Sequence, residues 1–186
     1  PELTLALPAA FTAATGMDAL THNIESYLSP AYHPLCDGIA LEGVRIAARA
    51  LPVAVRDGAN LPARADMLMS SMMGAIAFQK DLGAVHSCAH ALSTVADLHH
   101  GLANGVMIDH VMRFNLPAAT ARMAELARVA GVPGAAGMGD EAGAAADYAE
   151  SLKLREALVR ADPKNVAHQL DVMLTQARLG RHAEAA

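Results

Sequence analysis

Tryptophan is absent from the 186 residues, and phenylalanine and tyrosine occur three times each. Aromatic and β-branched residues are what a pleated, half-buried strand selects for, so their scarcity argues against a sheet. With alanine, leucine and methionine dominant, intrinsic propensity favours an all-α protein. Cysteine occurs only at Cys36 and Cys88. Two cysteines make no disulfide scaffold, so both read as thiols in a reducing compartment, each serving as a small apolar side chain. Basic residues number 14 against 19 acidic ones, for a formal charge of -5, and no basic stretch is present to meet a phosphate backbone. Nucleic acid is excluded as a partner on that basis. Uncharged runs such as residues 3–17 and 67–79 are too short to span a bilayer, and the first lacks the basic flank of a signal peptide. A soluble, cytoplasmic protein is expected.

What the chain does have is apolar content, 53% of its residues. That is enough for one domain with a core. The first residue is Pro1, and the opening Pro1-Glu2-Leu3-Thr4 reads like the interior of a longer reading frame or a processed product. Thr15-Gly16-Met17-Asp18 predicts a helix entry, with Thr15 as N-cap and Asp18 placed to suit the helix dipole, and Ser29-Pro30 stops that helix after Leu28. Further helices are expected over residues 34–57, 62–80, 84–96 and 102–114, and a sixth opens at Pro117 and ends before Gly131. The third carries Met67, Met69, Met72, Met73, Ile76 and Phe78, apolar nearly all round, which predicts a central place in a bundle.

Residues 134–143 are glycine-rich and read as a flexible loop. Beyond them, helices are expected over about 141–161 and 163–179 with a more charged texture. The composition shift places a domain boundary near residue 150, dividing a helical domain over residues 1–150 from a divergent helical tail over 151–186. Ala161-Asp162-Pro163-Lys164-Asn165 and the later Leu179-Gly180-Arg181-His182-Ala183-Glu184-Ala185 resemble part of a tetratricopeptide unit. A single unit cannot bury its own apolar face, so an ordinary closing pair of helices is the alternative.

Chemistry concentrates at two places. Asp18 and His22 lie four apart on one helix, so their side chains leave the same face on successive turns and can share a ligand. His86 and His90 repeat that spacing in His86-Ser87-Cys88-Ala89-His90, and His100 follows at the next helix entry. Each alone is ordinary. Together, in an apolar helical setting where an unpaired carboxylate is costly, they point to a divalent metal that supplies the missing charge. Imidazole and carboxylate donors suit Fe(II) or Zn(II), and donor chemistry does not choose between them. Cys88, two residues from both His86 and His90, points off their shared face.

The residues from Thr12 to Tyr27, reading Thr-Ala-Ala-Thr-Gly-Met-Asp-Ala-Leu-Thr-His-Asn-Ile-Glu-Ser-Tyr, resemble the first signature of the iron-containing (group III) alcohol dehydrogenases. Gly83-Ala84-Val85-His86-Ser87-Cys88-Ala89-His90 resembles the second, and His100-Gly101-Leu102-Ala103-Asn104-Gly105 the loop that closes the site. The likeness covers residues 1–115 well, weakens towards 150 and then fails. Ala91 and the segment 93–98 depart from the family pattern without touching a ligand position. The resemblance implies the family's helical, C-terminal metal-binding domain, with Asp18, His22, His86 and His100 as metal ligands. His99 is the neighbour that competes with His100. His90 is implied to lie beside the metal, near substrate and nicotinamide, as a proton relay.

The family binds NAD(P) largely through an N-terminal α/β domain with a glycine-rich phosphate loop, and no strand, glycine loop and helix of that kind occurs in this chain. The resemblance therefore implies a metal-dependent oxidoreductase interconverting a small alcohol and an aldehyde or ketone, present here as its metal-binding half. A nucleotide-binding domain on the same or another polypeptide would complete it, and a homo-oligomer is expected. Two other classes stay open at this point. One is a truncated, non-catalytic metal-binding or helical interaction module; the other is a metal-dependent hydrolase, since a histidine-rich divalent site also activates water. Removing the nucleotide domain should leave an apolar face uncovered.

Overall fold

The computed structural model describes residues 1–132. The glycine-rich loop, the boundary near residue 150 and the tetratricopeptide-like tail expected from the sequence lie outside the described residues. Five helices and no strand are found among those residues: α1 Ala9–Leu28, α2 Pro34–Arg56, α3 Leu61–Ala77, α4 Ala84–Ala96 and α5 His100–Val129. Single 3-10 turns precede α1 at Glu2–Thr4 and follow α3 at Phe78–Lys80. The all-α expectation is met, and its cause lies in the poverty of strand-forming residues.

Local chemistry sets most of the ends. Pro34 opens α2 at a position where its missing N–H costs nothing, and the His33 ring accepts from the Cys36 N–H as cap. Asn60 caps α3 by accepting from Ala63 N–H at 3.0 Å, with Pro62 in the first turn. Two expectations are corrected. α1 begins at Ala9 after an extended Pro8, so Thr15 lies inside the helix, its hydroxyl donating to the Phe11 carbonyl at 2.8 Å. The alanines and Phe11 that precede Thr15 are themselves compatible with helix, and Pro8 fixes the start. Pro117, expected to open a sixth helix, stands two residues before Ala119, whose non-helical angles (φ -133°, ψ 22°) mark a kink between two helices, so the expected division is present but falls at Ala119.

The helices approach closely because small residues face one another. A Cβ on Gly43 would come 2.0 Å from Asn23 Oδ1, and one on Gly74 2.9 Å from His22 Cβ. Buried Asn23 donates to the Ala19 and Ser70 carbonyls at 2.8 and 2.9 Å, and Ser70 Oγ donates to the Gly43 carbonyl at 2.9 Å, tying α1, α2 and α3 together. The apolar core packs Tyr27, Cys36, Ala40, Val44, Ala77 and Leu126, so Cys36 acts as the small hydrophobe expected. Cys88 is also a free thiol, partly exposed.

α3 is not the central helix its composition suggested. It packs on α1 and α2, but Leu68, Met69, Met72 and Ile76 are 43–52% exposed. Residues 68, 72 and 76 share one face, so the apolar circumference is an inner face plus an uncovered outer stripe. No helix among the described residues is long and apolar enough to cross a membrane.

Candidate metal centre

The site is assembled from one face of α1 and the beginnings of α4 and α5. Asp18 and His22 stand on α1 one turn apart; His86 is the third residue of α4 and His100 the first of α5. What brings α5 so near is Gly101, where a Cβ would lie 2.2 Å from the Ala14 carbonyl oxygen. Any larger residue would push His100 away from Asp18.

Asp18 Oδ1 lies 3.3 Å from His86 Nε2 and 3.3 Å from His100 Nε2. One donor atom from each of Asp18, His86 and His100 falls within 4.8 Å of the other two. That spacing lets a single divalent ion touch all three, given ligand bonds of about 2.0–2.2 Å. His22 stands beside the trio rather than in it. Its Nδ1 bonds the Asp18 carbonyl at 2.9 Å and lies 3.7 Å from Asp18 Oδ1, and its ring centroid is 4.3 Å from that of His86. A proton on Nδ1, donated to that carbonyl, leaves Nε2 as the nitrogen able to bind a metal. His90 is exposed and stacks on His100, ring centroids 5.1 Å apart, with His86 at 6.2 Å, so it forms the rim. His99 turns to Phe11 instead, in an edge contact of 5.4 Å.

Behind His86 lies Glu25, which sequence reasoning missed. Its buried carboxylate accepts from Val85 N–H at 2.7 Å, His86 N–H at 3.2 Å and His86 Nδ1 at 2.7 Å. One side chain therefore caps α4, whose N-cap is a glycine without a side chain to do so, and fixes the His86 ring with Nε2 towards Asp18. Gly83 is required beside it, since a Cβ there would lie 2.6 Å from Glu25 Oε1. Asn104, fully buried one turn beyond His100, is the other residue missed; its Nδ2 donates to Asp18 Oδ1 at 2.6 Å. Both obey a helical spacing rule that reveals them: Glu25 follows Asp18 by seven residues and Asn104 follows His100 by four.

The electrostatics follow from this packing. Burial works against charge on His86, but hydrogen bonds to Asp18 and Glu25 and their negative charges outweigh it and push the imidazole up to about 9. Burial would raise Asp18, yet the His86 hydrogen bond and the neighbouring histidines hold its carboxyl below the usual range. Glu25 is likewise held low against its burial by the His86 ring and the backbone N–H groups at the start of α4. His22 is lowered, chiefly by burial. The cluster thus gathers two carboxylates kept ionised and several imidazoles, an environment that a cation fits.

The sequence profile of the Fe-containing alcohol dehydrogenase family, C-terminal part, matches residues 12–177. The chain belongs to this family. Among similar proteins, the 4-hydroxybutyrate dehydrogenase of Cupriavidus necator is 48% identical over 142 residues, 72% of this chain and 37% of that protein. The 1,3-propanediol dehydrogenase of Klebsiella pneumoniae is 45% identical over 132 residues, 70% of this chain and 34% of that protein. Of the solved structures, that of a 1,3-propanediol oxidoreductase superposes with a TM-score of 0.70 at 44% identity, covering 72% of this chain and 36% of that one. The sulfoacetaldehyde reductase of Bifidobacterium kashiwanohense, solved with NAD+, superposes with a TM-score of 0.66 at 35% identity, covering 70% and 35%. The chain spans about a third of the length of such relatives.

Proposed function

We propose that the chain supplies the metal-binding, substrate-facing part of an NAD(P)-dependent dehydrogenase that interconverts a small alcohol and its aldehyde or ketone. The observation carrying this reading is the convergence of Asp18, His86 and His100 within reach of one ion, with Glu25 orienting His86 from behind. The ligand set is Asp18, His22, His86 and His100, and the ion Fe(II), with Zn(II) the other metal these donors suit. Such an ion contributes Lewis acidity towards the oxygen of the substrate. Asp18 and Glu25 hold the imidazoles in register and keep negative charge in place to balance a divalent cation. His90, exposed and stacked on His100, passes a proton between the substrate hydroxyl and solvent.

Relatives named for 4-hydroxybutyrate, 1,3-propanediol and sulfoacetaldehyde support a short, polar alcohol or aldehyde as substrate. The nucleotide is bound by a domain beyond the third of the relatives' length that this chain spans, on the same or another polypeptide. The uncovered stripe of α3 supports that arrangement. Leu68, Met72 and Ile76 are exposed on one face of α3, and Phe78, just past its end, contacts His22 at a ring separation of 5.8 Å, so apolar side chains are available there to meet a second domain. A cytoplasmic homo-oligomer completes the proposal.

The decisive experiment measures metal content after loading the chain anaerobically with Fe(II) or Zn(II). Wild type should retain about one equivalent, and His86→Ala should lose most of it, since removing one ligand leaves the site incomplete. Equal metal content in the two proteins would overturn the site.

A further inference from the structure

The link from α3 to α4 is pinned at both ends to the last turns of α1. At the first pin the Lys80 side chain is fully buried, its ammonium paired with Asp37 in the first turn of α2 and 3.5 Å from the Tyr27 carbonyl. The Lys80 carbonyl in turn accepts from Ser29 Oγ at 2.9 Å. At the second pin Gly83 packs against Glu25, whose carboxylate takes the Val85 and His86 N–H groups.

Asp81 lies between the pins with φ 102° and ψ 160°. Glycine alone adopts that region freely, and strain there persists only where the surroundings over-determine the backbone. The Asp81 side chain does nothing to offset it, being exposed and without a hydrogen bond or ion pair among the described residues. The strain is therefore imposed by the two pins, which leave only Asp81 and Leu82 to join them.

A buried ion pair is a poor source of net stability, because taking an ammonium and a carboxylate out of water costs about what their attraction returns. What Lys80 adds is direction. Its hold on Asp37 and Tyr27 fixes where the turn Phe78–Lys80 ends, and so where α4 starts, with His86 as its third residue. Phe78, at the head of the same turn, lies against His22 at a ring separation of 5.8 Å. We propose that Lys80 is a positioning residue for the metal centre: bonding to no ligand itself, it clamps the link between α3 and α4 so that His86 is presented to Asp18, and the strained backbone of Asp81 is the cost of the clamp. This inference rests on the metal-site reading above and deepens it, since it names the part of the fold that works with Glu25 to keep His86 in place.

The test measures Zn(II) affinity by competition with a coloured chelator, and the urea midpoint, for the 186-residue chain as wild type, Lys80→Met, Asp81→Gly and the double variant. Lys80→Met leaves Asp37 paired with Arg122 at 2.8 Å, so no carboxylate is orphaned. It should weaken Zn(II) binding about tenfold. A lysine that served stability alone would lower the midpoint and leave the affinity of the folded protein unchanged. Asp81→Gly should raise the midpoint with Zn(II) affinity kept, because both pins remain, and should add little once Lys80 is gone and the link has relaxed. Ser29→Ala, which removes the hydroxyl held by the Lys80 carbonyl, should weaken Zn(II) binding about threefold, the scale of one neutral hydrogen bond, and decides the matter if Lys80→Met fails to fold. Unchanged affinity in Lys80→Met, or in Ser29→Ala where the methionine variant does not fold, would overturn the clamp and leave the metal site standing. So would an Asp81→Gly gain that is absent in wild type or equally large without Lys80. No Zn(II) uptake by wild type would overturn both readings.

Discussion

Glu25→Gln is the substitution that tests the architecture most sharply, because it preserves shape while removing a charge on which three hydrogen bonds depend. The carboxylate accepts from Val85 N–H at 2.7 Å, His86 N–H at 3.2 Å and His86 Nδ1 at 2.7 Å. A glutamine offers one oxygen in place of two and turns an NH2 group towards at least one of these donors. Hydrogen bonds to a charged group contribute about 1.5–3 kcal/mol each, and a buried donor left unpaired costs about 1–3 kcal/mol. Removing one charged hydrogen bond and orphaning one donor should therefore destabilise the metal-free chain by on the order of 3 kcal/mol. The same change frees the His86 ring to rotate, so metal affinity should fall by about ten- to a hundredfold.

Urea unfolding of the metal-free protein followed by circular dichroism measures the first quantity, and competition with a coloured chelator measures the second. The two readouts separate the roles of Glu25. A cap alone would cost stability and leave affinity nearly intact; an orienting partner of His86 moves both. A stability loss below about 0.5 kcal/mol, the size of an ordinary surface substitution, together with unchanged affinity would refute the reasoning.

Gly83→Ala should act through the same carboxylate, since the new Cβ would sit 2.6 Å from Glu25 Oε1; a loss of about 1–3 kcal/mol in urea unfolding is expected, and a neutral result would mean that the loop before α4 yields freely. The metal-free chain should also lose stability as pH rises towards 9. His86 is pushed up to about 9 in the fold, above an unfolded value near 6.5, so its contribution is complete below about 6.5 and disappears as pH climbs through about 9. Midpoints in urea taken across that window should fall for wild type and stay flatter for His86→Gln; parallel curves would remove His86 as the cause.

The helical skeleton is legible in the sequence because its signals are local. Pro34 and Pro62 in first turns and the break at Asp57 set the ends of α2 and the start of α3, and the structure places them within a residue or two. The start of α1 is not legible, because Thr15-Gly16-Met17-Asp18 has capping chemistry without being a cap; Gly16 is there to admit Leu51, whose Cδ1 would be 2.1 Å from a Cβ at that position. Composition likewise does not show which side of α3 is covered. The family motifs mark Asp18, His86 and His100 correctly as neighbours, yet Glu25 and Asn104 lie inconspicuous inside those motifs. Helical spacing puts each on the face that carries a ligand, but what each does there is set by partners 60 and 86 residues away in sequence.

The position of the cluster makes folding and metal binding one problem. His86 and His100 each stand in the first turn of a helix, and both helices are docked on α1 through contacts that only glycine permits, Gly83 against Glu25 and Gly101 against the Ala14 carbonyl. Charge is arranged to suit this: Glu25 sits at the N-terminal end of α4, where exposed N–H groups favour an anion, and its neutralising partner is the imidazole aimed at Asp18. A protonated His86 satisfies both carboxylates, and the Asn104 amide donates to Asp18 beside it. An incoming divalent ion competes with both. Its affinity should therefore rise with pH over the same interval in which the metal-free chain weakens, since the proton that stabilises one state is the proton displaced in the other.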